Sequence, residues 1–444
     1  MPETHPMSDL CLQEAPPQDR SKNSETRNGR RIFAAQGLRG IVLLLVTVLI
    51  VAASSLWHVK IIDRDMASTH SDLLPRWVGT RDALRGVDPY STEGLRDIQT
   101  AYYGRPVTPA DHVDPQAFLY PPHILVLFAG LAPFSWEQVR LAFLLVMPPL
   151  IAISVLLCIR WTGVTMSRAR MLMVVVFSLL SWPMMWGLRL QQPTLLVAVV
   201  VFAACYLLKR GDGIVAGILL AMATVKPQLV APLIAWLLIW AFLKRSWGLF
   251  AGFGITMAVL LLWAERILPG GFTLWRKSLT GYSQFTHTQL CLEMIFGHWL
   301  GLTVTALICV WSGILVWRLR RCSADSSEFG LAVALILAAT VFASPTKMPM
   351  IYNQILLIPA LLILIDARPQ EYYTGLARRM TLALLVWGFA AVPIALAGES
   401  FSGHLDLWST LPFQNLLLPV VATVAVALHA FTVSSRLEFE EVSS

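Results

Sequence analysis

Charged residues are scarce in this sequence. Asp, Glu, Lys and Arg make up 14% of its 444 residues, whereas hydrophobic residues make up 56%. A soluble domain carries roughly 25% charged and 45–50% apolar residues, so the composition excludes a single water-facing globule. Apolar runs close to the length of a membrane span recur from residue 37 to residue 433. We therefore predict an all-α polytopic membrane protein, because lipid cannot satisfy exposed backbone groups.

The sequence also lacks a cysteine framework. Its 6 cysteines are scattered, with no Cys-x-x-Cys pair, so we interpret them as small apolar residues and not as disulfide or zinc ligands. The net charge is +7, but the basic residues lie in short clusters between apolar runs. This pattern is typical of membrane topology signals, and it excludes a phosphate-binding stripe for nucleic acid.

The apolar runs predict about 12 transmembrane helices. The candidate spans are residues 39–57, 138–159, 170–187, 193–208, 213–225, 228–243, 247–267, 299–317, 329–344, 350–365, 380–397 and 412–433. Residues 1–37 are expected to form a disordered cytoplasmic tail, residues 38–433 the polytopic membrane domain, and residues 434–444 a short cytoplasmic tail. Connectors rich in Lys and Arg alternate with poorer ones, which places the basic set in the cytoplasm and the other set outside.

Two outward segments depart from a simple crossing pattern. The first outward loop, residues 58–137, contains an apolar stretch, Tyr120–Phe134, that we interpret as a re-entrant or surface-lying helix. A real crossing is the alternative, and it would invert every later assignment. The Lys226-Pro227 turn joins two short spans, so we expect it to lie below the outer membrane surface, in a cavity.

The first outward loop is dense in ionisable residues. Asp72 and Arg76 are one helical turn apart in an amphipathic segment, so a helix would place them on one face. On a helix at the membrane surface, this carboxylate can meet a lipid headgroup. The alternative interpretation is an ordinary Asp–Arg pair in a solvated loop, which contributes little.

Other outward turns supply cations and aromatic rings. Arg189, Lys226 and Lys347 each fit a snorkelling interfacial charge, but together they form a set of donors suited to a phosphate or pyrophosphate headgroup. Rings of the kind that hold sugar faces, or that anchor a protein at the membrane interface, are Trp77, Tyr90, Tyr120 and Tyr352.

Several ordered motifs resemble glycosyltransferase family 87, over about residues 40–365. They are Asp72, Gly86-Val87-Asp88-Pro89-Tyr90, Phe118-Leu119-Tyr120-Pro121-Pro122, Gln192-Pro193-Thr194, Ala216-Gly217 before Lys226-Pro227, and Ser344-Pro345 with Tyr352. The resemblance implies the GT-C architecture, with a bundle of helices, an active site built by outward loops and a catalytic Asp soon after the first span. Asp72 matches that position.

The resemblance further implies a polyprenyl-phosphate sugar donor and a glycan or glycolipid acceptor. The expected enzyme lies in the cytoplasmic (inner) membrane and transfers a sugar of the mannose or arabinose type on the periplasmic or extracellular side. Asp72 is the expected general base, and inversion at the anomeric carbon follows from direct displacement. Lys226, Lys347, Arg189 and Arg76 are the expected ligands of the donor phosphate. Gln192, Tyr90, Tyr120 and Tyr352 are the expected lining of the sugar or donor pocket.

The sequence departs from the family pattern in two places. Leu73-Leu74-Pro75-Arg76-Trp77 stands where similar proteins have an aromatic-rich stretch, and Gln191-Gln192 stands where they have Gly-Gln. Both departures affect the expected identity of the sugar more than the reaction type. A lipid-phosphate donor carries no diphosphate, so we expect neither a metal nor a cofactor, and we interpret Asp63-Arg64-Asp65 as interfacial charge.

Two other classes of protein fit parts of the sequence. A transporter or lipid flippase has many spans, but it places ionisable residues near the middle of discontinuous helices. Here the spans carry charges almost exclusively at their ends, and the acidic residues crowd the first outward loop. A non-catalytic membrane scaffold is the second alternative, and the presence of both Asp72 and Lys226 argues against it.

Overall fold

The computed structural model describes residues 71–283, 289–344, 351–366 and 412–443, with the single residues 375 and 379. The predicted tail 1–37, the predicted spans 39–57 and 380–397, the Asp63-Arg64-Asp65 triplet and Lys347 lie outside the described residues.

Every regular element in the described ranges is an α-helix or a 3-10 helix. The α-helices in chain order are α1 Leu74–Leu84, α2 Thr92–Tyr103, α3 Ile124–Phe128, α4 Trp136–Thr162, α5 Arg168–Leu180, α6 Trp182–Arg189, α7 Pro193–Lys209, α8 Gly213–Ala223, α9 Pro227–Leu243, α10 Trp247–Ile267, α11 Gly271–Ser283, α12 Cys291–Phe296, α13 His298–Arg318, α14 Ser327–Ala343, α15 Ile358–Asp366 and α16 Pro412–Ser443. The 3-10 segments are Pro109–Asp111, Ala129–Leu131, Leu319–Arg321 and Ile351–Leu357. The all-α fold predicted from the sequence is confirmed for this part of the chain.

Local sequence explains where the helices begin and end. Ser135 and Gln138 form a capping box that starts α4, and Gly163 ends this helix in the left-handed conformation. α7 and α9 begin at Pro193 and Pro227, where the missing N–H leaves no helical hydrogen bond unmade. The helix ends that follow Gln192 and Lys226 are therefore fixed by the sequence next to them.

Within the described residues, four helices are long and apolar enough to cross a membrane. They are α4, α10, residues His298–Arg321 and residues Leu417–Ser435 of α16. α5 and α6 form a fifth span if they are counted as one helix bent by 43°. α7, α8, α9, α14 and Ile351–Asp366 are shorter apolar helices. The structure thus confirms an apolar helical protein with at least some spans, but not the predicted count of about 12.

The Tyr120–Phe134 stretch forms two short pieces. These are α3, with 5 residues, and the 3-10 turn Ala129–Leu131. α3 packs against α1 and α10. The chain is also tied to its surroundings through the indole N–H of Trp275, which donates to the carbonyl of Leu119 over 2.9 Å. The predicted re-entrant helix is not confirmed, but the stretch is held within the protein next to α1.

Two pairs of glycines allow α8 and α10 to pack closely. Gly213 and Gly217 on α8 face Gly248 and Gly252 on α10, and both pairs have the spacing that brings apolar helices together. A Cβ at Gly252 would lie 2.1 Å from the backbone oxygen of Ile214, which is far inside van der Waals contact. This contact positions α8, whose C-terminal end leads into Lys226.

We expect Gly252→Ala to destabilise the protein by about 2–3 kcal/mol, because the backbones of α8 and α10 must separate. Gly254→Ala is the matched control on the same helix, since a Cβ there meets nothing within 4 Å. This control should be neutral or stabilising by up to about 1 kcal/mol. Unfolding of the detergent-solubilised protein in increasing dodecyl sulfate measures both values. Equal stability of the two variants would contradict the close α8–α10 packing.

Candidate functional site

Asp72 lies just before α1, and hydrogen bonds of its backbone N–H and carbonyl groups hold it in place. Its N–H donates to the carbonyl of Leu190 over 2.9 Å, which joins the start of α1 to the turn between α6 and α7. Its carbonyl oxygen accepts a hydrogen bond from the guanidinium of Arg76, one turn further along. The contact between the two residues is thus made through the backbone of Asp72, which lies before the helix, so the pairing of their side chains on one helix face stays a prediction.

A chain of hydrogen bonds connects Asp72 to residues far away in sequence. The amide nitrogen of Gln192 donates to Oδ2 of Asp72. Oε1 of Gln192 accepts a hydrogen bond from Nζ of Lys226 over 2.7 Å, and the same Nζ donates to Oγ1 of Thr194 over 2.8 Å. Thr194 donates in turn to Oδ1 of Asn353 over 3.0 Å. We call Asp72, Gln192, Lys226, Thr194 and Asn353 the polar network.

The packing of the helices explains this convergence. Gln192 and Lys226 are the residues that directly precede α7 and α9. α6 and α7 both pack against the 3-10 segment Ile351–Leu357, which carries Asn353. Because helix N-termini carry unpaired N–H groups and partial positive charge, the starts of α7 and α9 favour negative charge in this region.

The polar network has a buried part and an accessible part. Gln192 is 1% and Lys226 5% exposed, and Thr194 and Asn353 are also buried. Asp72 and Arg76 retain partial exposure. Asp72 and Arg76 are therefore the more accessible residues of the site, and Gln192 and Lys226 are the more buried ones.

Aromatic rings flank both cations. The guanidinium of Arg76 lies over the ring of Tyr120, with 4.2 Å from Cζ to the ring centroid. Nζ of Lys226 lies 4.8 Å from the ring centroid of Tyr352. The Tyr90 hydroxyl donates to the backbone oxygen of Tyr120 over 2.5 Å. Tyr90 thus supports the segment that carries Tyr120, and the rings of Tyr120 and Tyr352 hold the cations in place.

His123 provides a second tie between the loop and the Lys226 turn. Its Nε2 lies 3.0 Å from Oγ1 of Thr224, and both side chains are buried. Thr224 precedes Lys226 by two residues, and His123 follows Tyr120 by three. This contact joins the segment that carries Tyr120, whose ring lies beneath Arg76, to the turn that carries Lys226.

Burial shapes the electrostatics of Asp72. Burial raises its pKa, while the nearby charges of Arg76 and Lys226 lower the pKa and the charge of Asp114 raises it. The net result is a pKa above the usual range for Asp. A carboxylate with a raised pKa is a stronger base than a solvated one, which suits a group that accepts a proton.

Arg189 is a further residue predicted for the site. Arg189 ends α6, and its guanidinium stacks on the ring of Trp186 with 4.9 Å from Cζ to the centroid. Sequence reasoning missed Thr194 and Asn353. Thr194 belongs to the Gln192-Pro193-Thr194 motif, and Asn353 is a polar residue within an apolar run beside Tyr352. Both residues could therefore be recognised in the sequence as possible site residues, but the hydrogen bond between them depends on the fold.

Metal-ligand side chains are not clustered in the described part of the chain. There, no group of three or more His, Cys, Asp or Glu residues is placed to hold a metal ion. The expectation that the protein needs no metal stays a prediction.

Comparison with known proteins identifies the family. The model of glycosyltransferase family 87 matches residues 118–345, just over half of the chain. The match includes Tyr120, Gln192 and Lys226, while Asp72 and Tyr352 lie on either side of it. No curated protein and no solved structure matches the chain. The resemblance noted in the motifs is therefore confirmed, and together with the apolar helices the match indicates a membrane glycosyltransferase. The chain belongs to glycosyltransferase family 87.

Proposed function

We propose that this protein transfers a sugar from a polyprenyl-phosphate donor to a hydroxyl group of a lipid or cell-envelope glycan acceptor. In this proposal Asp72 is the general base and the anomeric carbon is inverted. The sugar is of the mannose or arabinose type. The proposal extends the family assignment to a donor, an acceptor class and a mechanism.

The observation that carries this proposal is the convergence of one carboxylate and two cations, with Asp72 and Lys226 in the polar network and Arg76 bound to the Asp72 backbone. Asp72, Arg76 and Lys226 come from two different parts of the chain, yet one amide connects Asp72 with Lys226 and one guanidinium binds the Asp72 backbone. A structural ion pair needs only two of these groups. A base beside fixed positive charge is what displacement of a phosphate leaving group requires.

The reaction can be written with these residues in place. The acceptor oxygen forms a bond to the anomeric carbon, and the hydroxyl proton passes to the carboxylate of Asp72. The bond between the anomeric carbon and the phosphate oxygen breaks, and its electron pair leaves with the phosphate. The products are the glycosylated acceptor and polyprenyl phosphate, and the proton on Asp72 is then lost to water.

Arg76 is the best candidate for contact with the leaving phosphate. Arg76 is a partly exposed residue, and its guanidinium lies over Tyr120 and is fixed by the Asp72 carbonyl. A planar guanidinium can bind two phosphate oxygens at once, and here its position is set before the donor arrives. Lys226 is buried and already donates to Gln192 and Thr194, so we assign it a charge-stabilising role from behind the site.

We also propose that the site faces the periplasmic or extracellular side of the cytoplasmic membrane. The support is the distribution of charge in the sequence. Basic residues lie at or just after the C-terminal ends of α4, α7, α9 and α13, namely Arg160, Lys209-Arg210, Lys244-Arg245 and Arg318-Leu319-Arg320-Arg321. The positive-inside rule places these ends in the cytoplasm, which leaves the starts of α7 and α9 on the opposite side.

A donor panel tests the proposal. The purified protein is given polyprenyl-phosphate-linked hexoses and pentoses, and separately nucleotide sugars, with a lipid extract of membranes as acceptor source. Mass spectrometry follows the release of polyprenyl phosphate and the gain of sugar by the acceptor. We expect transfer from at least one lipid-linked sugar. Transfer from nucleotide sugars alone would contradict the proposed donor class.

A further inference from the structure

The Gln192 amide lies between a carboxylate and an ammonium, and it contacts both. Its nitrogen donates to Oδ2 of Asp72, and its oxygen accepts from Nζ of Lys226. One end of this side-chain amide therefore contacts a negatively charged group, and the other end contacts a positively charged group. The sequence resemblance assigned Gln192 to a sugar or donor pocket, but both of its polar atoms already contact protein side chains.

The chemistry of the ammonium fixes the orientation of this amide. Burial lowers the pKa of Lys226 to about 7. In its protonated form the lysine has three donors and no acceptor, so the amide atom that faces it is then the oxygen. The amide nitrogen then faces Asp72, where it can only donate. A hydrogen bond from a donor favours the ionised form of a carboxylate. Lys226 therefore determines, through Gln192, which form of Asp72 is stabilised.

The accessibility of the three side chains indicates which of them act directly on a substrate. Gln192 and Lys226 are almost completely buried, whereas Asp72 is partly exposed. Lys226 is also tied to Thr194 and lies over the ring of Tyr352. The amide therefore acts behind the carboxylate and reaches a substrate through Asp72.

We propose that Gln192 is a positioning residue, held in one orientation by Lys226 so that its amide N–H faces Asp72 and keeps that carboxylate ionised and aimed at the acceptor. The inference rests on the proposed function, because it assigns Gln192 a role toward the proposed base. It differs from a role in sugar recognition, since the contact that matters is between two protein side chains.

Asp72 has other ionisable neighbours that bear on the test. Arg76 and Lys226 stabilise its charge, and Asp114 opposes it. The tyrosines whose environment includes the Asp72 charge are Tyr102, Tyr120 and Tyr352. None of these residues is changed in the Gln192 variants, so a shift in those variants reports on the amide.

The test is an infrared titration of the Asp72 carboxyl group in the purified full-length protein. The C=O band of the protonated acid is assigned by its loss in Asp72→Asn, and no substrate is needed. In Gln192→Met the donated hydrogen bond is absent, so we expect the pKa of Asp72 to rise by about 1 pH unit or more. The midpoint of the acidic limb in the pH profile of kcat/KM should move to higher pH together with this pKa. The value of kcat should recover at high pH.

Two further variants make the outcome decisive. Gln192→Glu keeps the size and shape of the side chain, so it covers the case in which Gln192→Met does not fold, and a second carboxylate should raise the pKa of Asp72 further. Gln191→Met is the matched control, because the equally buried Gln191 amide donates to the backbone carbonyls of Leu188 and Arg189. This control should leave the pKa of Asp72 within a few tenths of the wild-type value.

Each result has a defined meaning. An unshifted pKa of Asp72 in Gln192→Glu, or a raised KM for the donor with an unchanged acidic limb, would overturn the positioning role. If the wild type uses no polyprenyl-phosphate sugar, the infrared titration still gives its answer. Failure of the proposed donor and failure of the proposed Gln192 role are thus observed separately.

Discussion

Asp72→Asn abolishes most of the sugar transfer, with an expected loss in kcat of about 10²–10⁴-fold. The amide is nearly the same size as the carboxyl group and can still face Gln192, but it cannot accept the proton of the acceptor hydroxyl. Binding of the donor should change much less than kcat, because Arg76 and Lys226 are retained. Initial rates with a saturating lipid-linked sugar measure the effect.

The control for Asp72→Asn is Asp97→Asn. Asp97 is an exposed carboxylate on α2, in the same loop region but outside the polar network. It should retain wild-type rates, and both variants should insert into the membrane and elute as the wild type does on size exclusion. Normal transfer by Asp72→Asn would show that another residue is the base.

Arg76→Gln is expected to lower kcat by about 10²–10³-fold, the effect of losing one fixed donor to a developing negative charge. The variant also removes a positive charge that lowers the pKa of Asp72, so its acidic limb should move to higher pH. Assays at a pH well above the acidic limb measure the effect on the leaving phosphate alone. The loss should be smaller for a donor with a better leaving group.

Arg81→Gln provides a matched control on the same helix. The guanidinium of Arg81 lies over the ring of Trp77, with 4.5 Å from Cζ to the centroid, much as that of Arg76 lies over Tyr120. Both substitutions remove a stacked arginine from α1, but Arg81 is not part of the site. Equal losses in kcat for the two variants would point to a structural effect on α1 and against phosphate contact by Arg76.

Much of the helical framework follows from the sequence, because apolar runs and their charged ends are local features. The run 247–267 is bounded by charges and coincides with α10. The pattern of the run 170–187 predicts one span, but Ser181 separates α5 from α6, and the two helices are bent by 43°. Pro183 marks this break, since it removes a backbone donor. The run 350–365 begins as a 3-10 segment around Asn353 and Gln354.

The residues of the candidate site could be predicted better than the hydrogen bonds that join them. The sequence motifs point to Asp72, Arg76, Gln192 and Lys226, and the structure brings these residues together. Their hydrogen bonds could not be predicted, because the segments that carry Gln192 and Lys226 meet Asp72 only after α6, α7 and α9 have packed. The exposure of each side chain likewise depends on this packing. For that reason Lys226, predicted as a direct phosphate ligand, is found buried behind the amide.

The shared burial of Thr194 and Asn353 has the same origin. Thr194 lies at the start of an apolar run, and Asn353 lies within another one next to Gln354. Their importance becomes clear from the hydrogen bond that joins them across the contact between α7 and the 3-10 segment. A buried polar group without such a partner would be destabilising, so the two residues depend on each other.

The stereochemistry of the product tests the central claim most directly. A polyprenyl-phosphate sugar of known anomeric configuration is converted by the purified protein, and the new glycosidic bond is assigned by NMR coupling constants. One base and one direct displacement predict a product whose configuration is inverted relative to the donor. A product with retained configuration would contradict the account, because it would require a second displacement and a nucleophile that the account does not contain.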